Sequence, residues 1–337
     1  MTLWLLLPIT VIVSYFLTGA LRRYALSASM IDVPNARSSH TVPTPRGGGV
    51  AIVVSFLVGL LALAFAGALH TSLVWGLFGA GLIAALVGFL DDHGHVPARW
   101  RLLGHFSAAA WGLVWLDGAP PLELFGTVFN LGLVGHLLAA VYLVWLLNLY
   151  NFMDGIDGLA SVQAVTACMG GALLCWLGGQ ASQLWLSGLM LASVAGFLIW
   201  NFPPAKIFMG DAGSGFLGIM LGLLALQATW VSPVFFWSWL ILLGVFVVDA
   251  TWTLIRRLLR GEKPHEAHRS HAYQFASRQY GSHRVVTLSV LLINTVWLIP
   301  FALLVGLGKL DGITGLVMAY APLVFLAIKF KAGLREA

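Results

Sequence analysis

Long apolar runs alternate with short polar breaks along almost the whole chain. The runs lie at roughly 3–21, 48–69, 72–90, 102–117, 134–150, 159–177, 184–200, 213–230, 234–255, 285–307 and 313–329. Most reach the roughly 17–25 residues that a helix needs to cross a bilayer. The pattern predicts an all-α polytopic membrane protein of about eleven transmembrane helices, built as one integral-membrane domain over residues 1–337. The first run lacks a small-residue cleavage site and reads as a retained helix.

Composition agrees and adds an orientation. Charged residues make up 9% of the chain, against roughly 25% in ordinary globular domains. With the N-terminus outside, segments 22–47, 91–101, 148–158, 201–212, 256–284 and the tail become cytosolic. Those segments hold 17 of the 18 Lys and Arg residues and leave Lys309 outside. Cytoplasmic loops carry the basic excess, so the N-terminus is expected in the periplasm and the C-terminus in the cytoplasm. The same asymmetry accounts for the net charge of +5, and no nucleic-acid partner is expected. Cys168 and Cys175 fall within one run, so no disulfide framework or redox chemistry is expected.

The polar breaks hold the chemistry. The central one reads Asn148-Leu149-Tyr150-Asn151-Phe152-Met153-Asp154-Gly155-Ile156-Asp157-Gly158. Ionisable residues at such a place are costly and functional by default. Asn148, Asn151, Asp154 and Asp157 recur at steps of three, which would group them on one helix, while Gly155 and Gly158 loosen the backbone. Upstream, Pro43-Thr44-Pro45-Arg46-Gly47-Gly48-Gly49 permits close approach to a neighbour or ligand, and Arg37, His40 and Arg46 would face anionic head groups. Asp91 and Asp92 sit together at a helix C-terminus, where mutual repulsion and the helix dipole both disfavour them. A bound cation or a proton-accepting role would relieve that placement. Downstream, Ser214 is a fair N-cap for the next run, and Asp211 beside a phosphate-accepting helix start makes sense if a divalent cation bridges it to phosphate. In the last large break, phosphate contact suits His268, Arg269 and His271 better than zinc, since no cysteine lies nearby. Asp249, inside the ninth run, is expected to pair within the bundle.

Taken in order, PTPRGGG, the Asp91–Asp92 pair, NFMDGIDGLA, NFPPAKIFMGDAGSGFLG and the His-rich break resemble the bacterial polyprenyl-phosphate N-acetylhexosamine-1-phosphate transferases. The resemblance covers nearly the whole chain and is to the O-antigen-initiating branch. HEAHRSH lacks the three consecutive histidines of the alternative branch, the phospho-MurNAc-pentapeptide transferases. The resemblance implies a magnesium cofactor (manganese being the alternative), undecaprenyl phosphate and a UDP-N-acetylhexosamine as substrates, and the bacterial inner membrane as location, with the site on its cytoplasmic face. It is also compatible with a homodimer. By motif position, Asp91 and Asp92 would be catalytic, on the lipid-phosphate side. Asp211 would be the principal magnesium ligand, with Asn151 a metal or pyrophosphate contact. Asp154, Asp157 and Asn201 would line the nucleotide site, where Phe208 stacks on uracil and Asp157 meets it. His268, Arg269 and His271 would grip pyrophosphate and sugar. Arg46 and Arg101 are assigned to the lipid phosphate, Arg101 standing where a lysine is often found. The chain departs from the family's DDxxD pattern in carrying His95 at the third position.

The expected reaction is therefore transfer of a sugar phosphate from UDP to a lipid phosphate. An ion-coupled transporter is the rival from another class, since intramembrane acids also mark ion pathways. Here the polar clusters share one side and none lies at mid-bilayer. A lipid phosphatase would instead release inorganic phosphate.

Overall fold

The computed structural model describes residues 3–34, 39–40, 42–94, 96–179, 181–263 and 268–334. The apolar runs form helices, because a lone segment in lipid must satisfy its own backbone hydrogen bonds. In chain order these are α1 (Leu6–Ser27), α2 (Val50–Phe65), α3 (Thr71–Gly94), α4 (Ala98–Trp115), α5 (Gly132–Met153), α6 (Leu159–Leu177) and α7 (Ala181–Asn201). There follow α8 (Asp211–Val231), α9 (Phe235–Leu242), α10 (Gly244–Leu259), α11 (Ala272–Tyr280), α12 (His283–Leu292), α13 (Ile299–Gly306) and α14 (Gly312–Lys329). Two short antiparallel pairs join them: β1 (Ile31–Asp32) with β2 (Thr44–Pro45), and β3 (Leu122–Leu124) with β4 (Thr127–Phe129).

The bundle is built around α8. Every residue from Ala212 to Leu226 is buried, as expected of a helix that is apolar on all sides. α3 and α5 flank it along much of its length. The outer helices leave Phe16, Leu137 and Phe325 exposed, the side that lipid tails would cover.

Eight helices among the described residues are long and apolar enough to span, or nine if one bent pair counts as a span. The expected eleven is thus too many by these criteria. α2 has 16 residues and is short for a span. α4 carries Arg99, Arg101 and His105 in its first two turns, which dilutes its apolar character. The run at 234–255 is not one rod, since α9 and α10 meet at 75°. At that break the Leu242 carbonyl accepts a hydrogen bond from Gln163 Nε2 at 2.8 Å. A side chain thereby serves a backbone group near the interruption. Asn294, in the π-turn Ile293–Leu298 between α12 and α13, donates in turn to Gln163 Oε1 at 2.9 Å.

α14 runs between the two ends of the bundle. Near its start, Glu123, Phe125 and Asp311 line one cavity with Gly308. Beyond its other end, the Gly333 N–H donates to the Ser270 carbonyl at 2.7 Å. The Lys309 turn and the β3–β4 hairpin therefore share one end, and the 268–271 segment lies at the other.

Candidate active site

Two backbone arrangements bring the separate motifs together. The PRGGG segment pairs with the chain leading into α8: Phe208 N–H donates to the Pro45 carbonyl at 2.8 Å, and Gly48 and Gly49 N–H donate to Phe208 and Met209 at 2.9 and 2.8 Å. α3 also approaches α8 so closely that a Cβ at Gly88 would collide with the Asp211 carbonyl. The end of α3 is thereby pressed against the start of α8. Asp92 Oδ2 accepts the Ala212 N–H at 3.2 Å, serving one of the unpaired donors of that helix start. Asp91 turns the other way, ion-paired to Arg101 and accepting the Val96 N–H at 2.7 Å. Arg101 Nη1 also stands 4.0 Å from Asp211 Oδ2.

The central motif does not lie on one helix, contrary to its spacing of three. α5 stops at Met153 with Asp154 as its C-cap, and Gly158, at φ 71, starts α6. That left-handed backbone suits glycine and ends any continuous helix. Asn148 and Asn151 stay on α5, where Asn148 lies 3.4 Å from His105 Nδ1 and Asn151 Nδ2 donates to Ser214 Oγ at 3.1 Å. Ser214 is not the cap expected of it. α8 already begins at Asp211, and the Ser214 hydroxyl donates back to the Gly210 carbonyl at 3.3 Å.

The next motif is tied to this turn. Asp157 Oδ2 accepts the Ala205 N–H at 3.0 Å, and Oδ1 lies 3.1 Å from His283 Nδ1. Asn201 is buried and committed to the protein. Its Oδ1 accepts the Gly158 N–H at 3.1 Å, and its Nδ2 donates to the Ile207 carbonyl at 3.0 Å.

The result is a cavity of about 230 Å³ in which Asp92, Asn151, Asp154, Asp157 and Asp211 meet beside Arg46 and Phe208, with Asn201 at its edge. Arg46 is fixed by donating to the Asp92 carbonyl at 2.6 Å. Phe208 packs edge-on against His40, their rings 4.9 Å apart. Burial, then the charges of Asp211, Asp92 and Asp157, push the Asp154 carboxyl well above the usual carboxylate range. Burial acts on Asp157 in the same sense, but bonds from His283 and the Ala205 N–H outweigh it and hold that carboxyl low. Asp91 and Arg101 line a smaller adjoining cavity, which Asn151 and Asp211 also border.

The His-rich segment is placed differently. His268, Arg269 and His271 do not line the acidic cavity. His271 is buried, its Nδ1 3.3 Å from Asp249 Oδ1, so Asp249 pairs within the bundle as expected. Burial, then His271 and Arg257, push His268 down to about 3. That ring is neutral at physiological pH, and its Nδ1 lies 2.9 Å from Ser270 Oγ. The Arg269 carbonyl accepts from Arg278 Nη2 at 3.2 Å. Gln274 and His283 reach the cavity in their stead. Neither was singled out from sequence, although His283 follows Gly281-Ser282 at the head of an apolar run, a signal that could have found it. His95 and Arg37 lie outside the described residues.

The donor set fits a hard cation. Among the described residues no three acidic or histidine side chains form a ready-made coordination sphere. Magnesium does not need one, because it keeps several waters and is held through one or two carboxylates plus substrate phosphates. Burial raises the Asp154 carboxyl first, and the neighbouring acids Asp211, Asp92 and Asp157 add to it. A cation among those acids would offset the second of these.

Comparison with known proteins gives the family. Residues 74–229 match the family described as glycosyl transferase family 4. Over 325 residues the chain is 31% identical to the probable undecaprenyl-phosphate N-acetylglucosaminyl 1-phosphate transferase of Bacillus subtilis (strain 168), with 89% of each chain covered. This chain belongs to glycosyl transferase family 4. It is an enzyme of the polyprenyl-phosphate sugar-1-phosphate transferase group in that family. The transferase is also 29% identical to the decaprenyl-phosphate N-acetylglucosaminephosphotransferase of Mycolicibacterium smegmatis (strain ATCC 700084 / mc(2)155), over 94% of this chain and 85% of that one. A phospho-N-acetylmuramoyl-pentapeptide-transferase of Streptococcus pneumoniae (strain Taiwan19F-14) is 32% identical over 64% of this chain and 67% of its own.

Proposed function

We propose that this transferase moves an N-acetylhexosamine-1-phosphate from a UDP-sugar to undecaprenyl phosphate and releases UMP. The reading is carried by the meeting of Asp92, Asn151, Asp154, Asp157 and Asp211 in one cavity with Arg46 and Phe208. So acidic a cavity suits a ligand that arrives with a divalent cation, as a nucleoside diphosphate does. The names of the Bacillus and Mycolicibacterium relatives favour N-acetylglucosamine, with its 6-deoxy relatives FucNAc and QuiNAc as comparison donors. The product would begin an O-antigen or related glycan.

In the reaction, a phosphate oxygen of the lipid attacks the sugar-linked phosphorus in line. The new P–O bond forms as the bond to UMP breaks. A phosphate monoester has a second pKa of about 6, so this nucleophile is largely ionised at neutral pH and needs no strong base. Asp91, already held by Arg101 and the Val96 N–H, orients that guanidinium toward the lipid phosphate. Arg46, held on the Asp92 carbonyl, meets the same phosphate from the acidic cavity. Asp211 and Asn151 would hold magnesium, or manganese as the alternative, with Asp154 close by, and the ion would neutralise charge on the pyrophosphate. Asp157 and Phe208 form the base side. His268, Arg269 and His271 do not line this cavity, which their segment reaches through Gln274. Purified protein given undecaprenyl phosphate and a panel of UDP-sugars, UDP-MurNAc-pentapeptide included, should release UMP in a magnesium-dependent way. Mass analysis of the lipid identifies the sugar. Release of inorganic phosphate, or no product with any donor, would sink the reading.

The N-terminus is assigned to the periplasm and the C-terminus and active site to the cytoplasmic face of a bacterial inner membrane. The split of 17 basic residues to one supports this, as does the shared end of the Lys309 turn and the β3–β4 hairpin. A cysteine replacing Lys309 should react with an impermeant thiol reagent in intact spheroplasts. Labelling that appears only after lysis would reverse the orientation.

A further inference from the structure

We propose that His283 is a positioning residue for the nucleotide side of the cleft, its ring fixing the wall against which the base lies. The inference rests on the assignment of Asp157 and Phe208 to the base. It adds a residue that belongs to none of the motifs.

His283 is the first residue of α12. Its Nδ1 lies 3.1 Å from Asp157 Oδ1, and its Nε2 lies 2.9 Å from the Ser39 carbonyl oxygen. Both partners are acceptors, so the ring serves them as a donor at each nitrogen. The Asp157 N–H, 3.4 Å from Nδ1, is too long a contact to compete well. One turn along the same helix, Thr287 Oγ1 donates to the Asp157 carbonyl at 2.8 Å. α12 thus holds both the side chain and the backbone of Asp157.

The contacts continue around a closed circuit. Asp157 Oδ2 accepts from the Ala205 N–H, at the head of the segment that carries Phe208. Phe208 packs on His40, the residue after Ser39, whose carbonyl His283 holds. Four stretches far apart in sequence are therefore linked in one circuit that closes through the His283 imidazole. A second basin, lined by Pro204, Arg278 and Arg284, shares His40, Asp157, Phe208 and His283 with the acidic cavity. His283 stands at the junction of the two. Without its ring, Asp157 loses the partner of one oxygen and the Ser39 carbonyl loses its donor, so the wall would lose its fixed shape while the acids at Asp92, Asp154 and Asp211 keep theirs.

Equilibrium binding of UMP to the purified full chain, with magnesium present, reads this directly, and steady-state transfer separates KM from kcat. His283→Ala is expected to weaken UMP binding and raise the UDP-sugar KM by about tenfold, the scale of one charge-assisted hydrogen bond. Turnover and the KM for undecaprenyl phosphate are expected to stay within about threefold, because the lost interaction belongs to ground-state binding. His283→Asn keeps a donor near Nδ1 and His283→Gln keeps one near Nε2. Asparagine should therefore recover most of the affinity and glutamine little, a comparison that holds even if the alanine variant folds poorly. Asp157→Asn tests the underlying reading. If it leaves UMP affinity intact, the base assignment of Asp157 falls and this inference with it. If it weakens UMP binding while His283→Ala does not, or if asparagine and glutamine recover equally, the positioning role alone is overturned.

Discussion

Replacing Asp211 with asparagine is expected to lower kcat/KM for transfer by at least about 100-fold while the protein still inserts and folds. Asparagine keeps the shape of the side chain and loses the charge that holds a hard cation. The fold tolerates this because the Asp211 side chain does not cap α8, whose N-cap residue is Gly210. Asp92 differs, since its carboxylate accepts the Ala212 N–H, and a change there would disturb the helix start as well. Removing the Asp211 charge also removes the largest of the like charges acting on Asp154. The variant should therefore be no less stable than the parent in magnesium-free buffer. Added magnesium should raise the Tm of the parent through binding linkage and raise that of the variant less. Near-normal turnover at limiting magnesium, or an unchanged magnesium-dependent Tm shift, would remove Asp211 from the metal site.

The site acids were legible in the sequence because lipid makes polar groups expensive, so an aspartate beside an apolar run stands out without any structure. Asp92, Asn151, Asp154, Asp157 and Asp211 do converge on one cavity. Their partners were not legible. His283 is 126 residues from Asp157 and 244 from Ser39, and no periodicity encodes a meeting set by the packing of α12 against α6. The step of three from Asn148 to Asp157 misled for a related reason. Spacing reports what a helix would do if it continued, and Gly158 in the left-handed region shows that it does not. The span count failed where hydropathy alone was read. A run of apolar residues at 234–255 is compatible with one straight helix or with two at 75°, and hydropathy does not show that Gln163, on another helix, hydrogen-bonds the Leu242 carbonyl at the break. The His-rich segment shows the same limit. Its residue types suggested a grip on phosphate, but their placement around Asp249 follows from helix packing.

Asp249→Ala is expected to reduce transfer by about 30-fold or more, because one buried carboxylate organises the whole start of α11. Its Oδ1 accepts the Ala272 N–H at 2.9 Å, and its Oδ2 accepts the Tyr273 N–H at 3.0 Å. His271 Nδ1 lies 3.3 Å from Oδ1, and Thr253 Oγ1 donates to the same oxygen at 3.2 Å. Alanine would leave two backbone donors of a helix start unserved in a buried place, and hydrogen bonds to a charged group are each worth roughly 1.5–3 kcal/mol. It would also free the His271 ring, whose orientation depends on that carboxylate. The disturbance reaches the cavity through two short links. Tyr273 donates its hydroxyl proton to the Phe152 carbonyl at 3.0 Å, directly before the Asp154 turn, and Gln274 lines the cavity itself. Asp249→Asn should fall between the parent and alanine, since the amide oxygen still accepts while the amino group faces donors. Thr253→Ala removes a single neutral donor and should leave transfer within about threefold. Transfer rates read alongside limited proteolysis between Arg256 and Arg269 separate these cases. Parental turnover and protease resistance in Asp249→Ala would mean that α11 is held by its packing alone, and that the carboxylate does not organise the segment carrying His271 and Gln274.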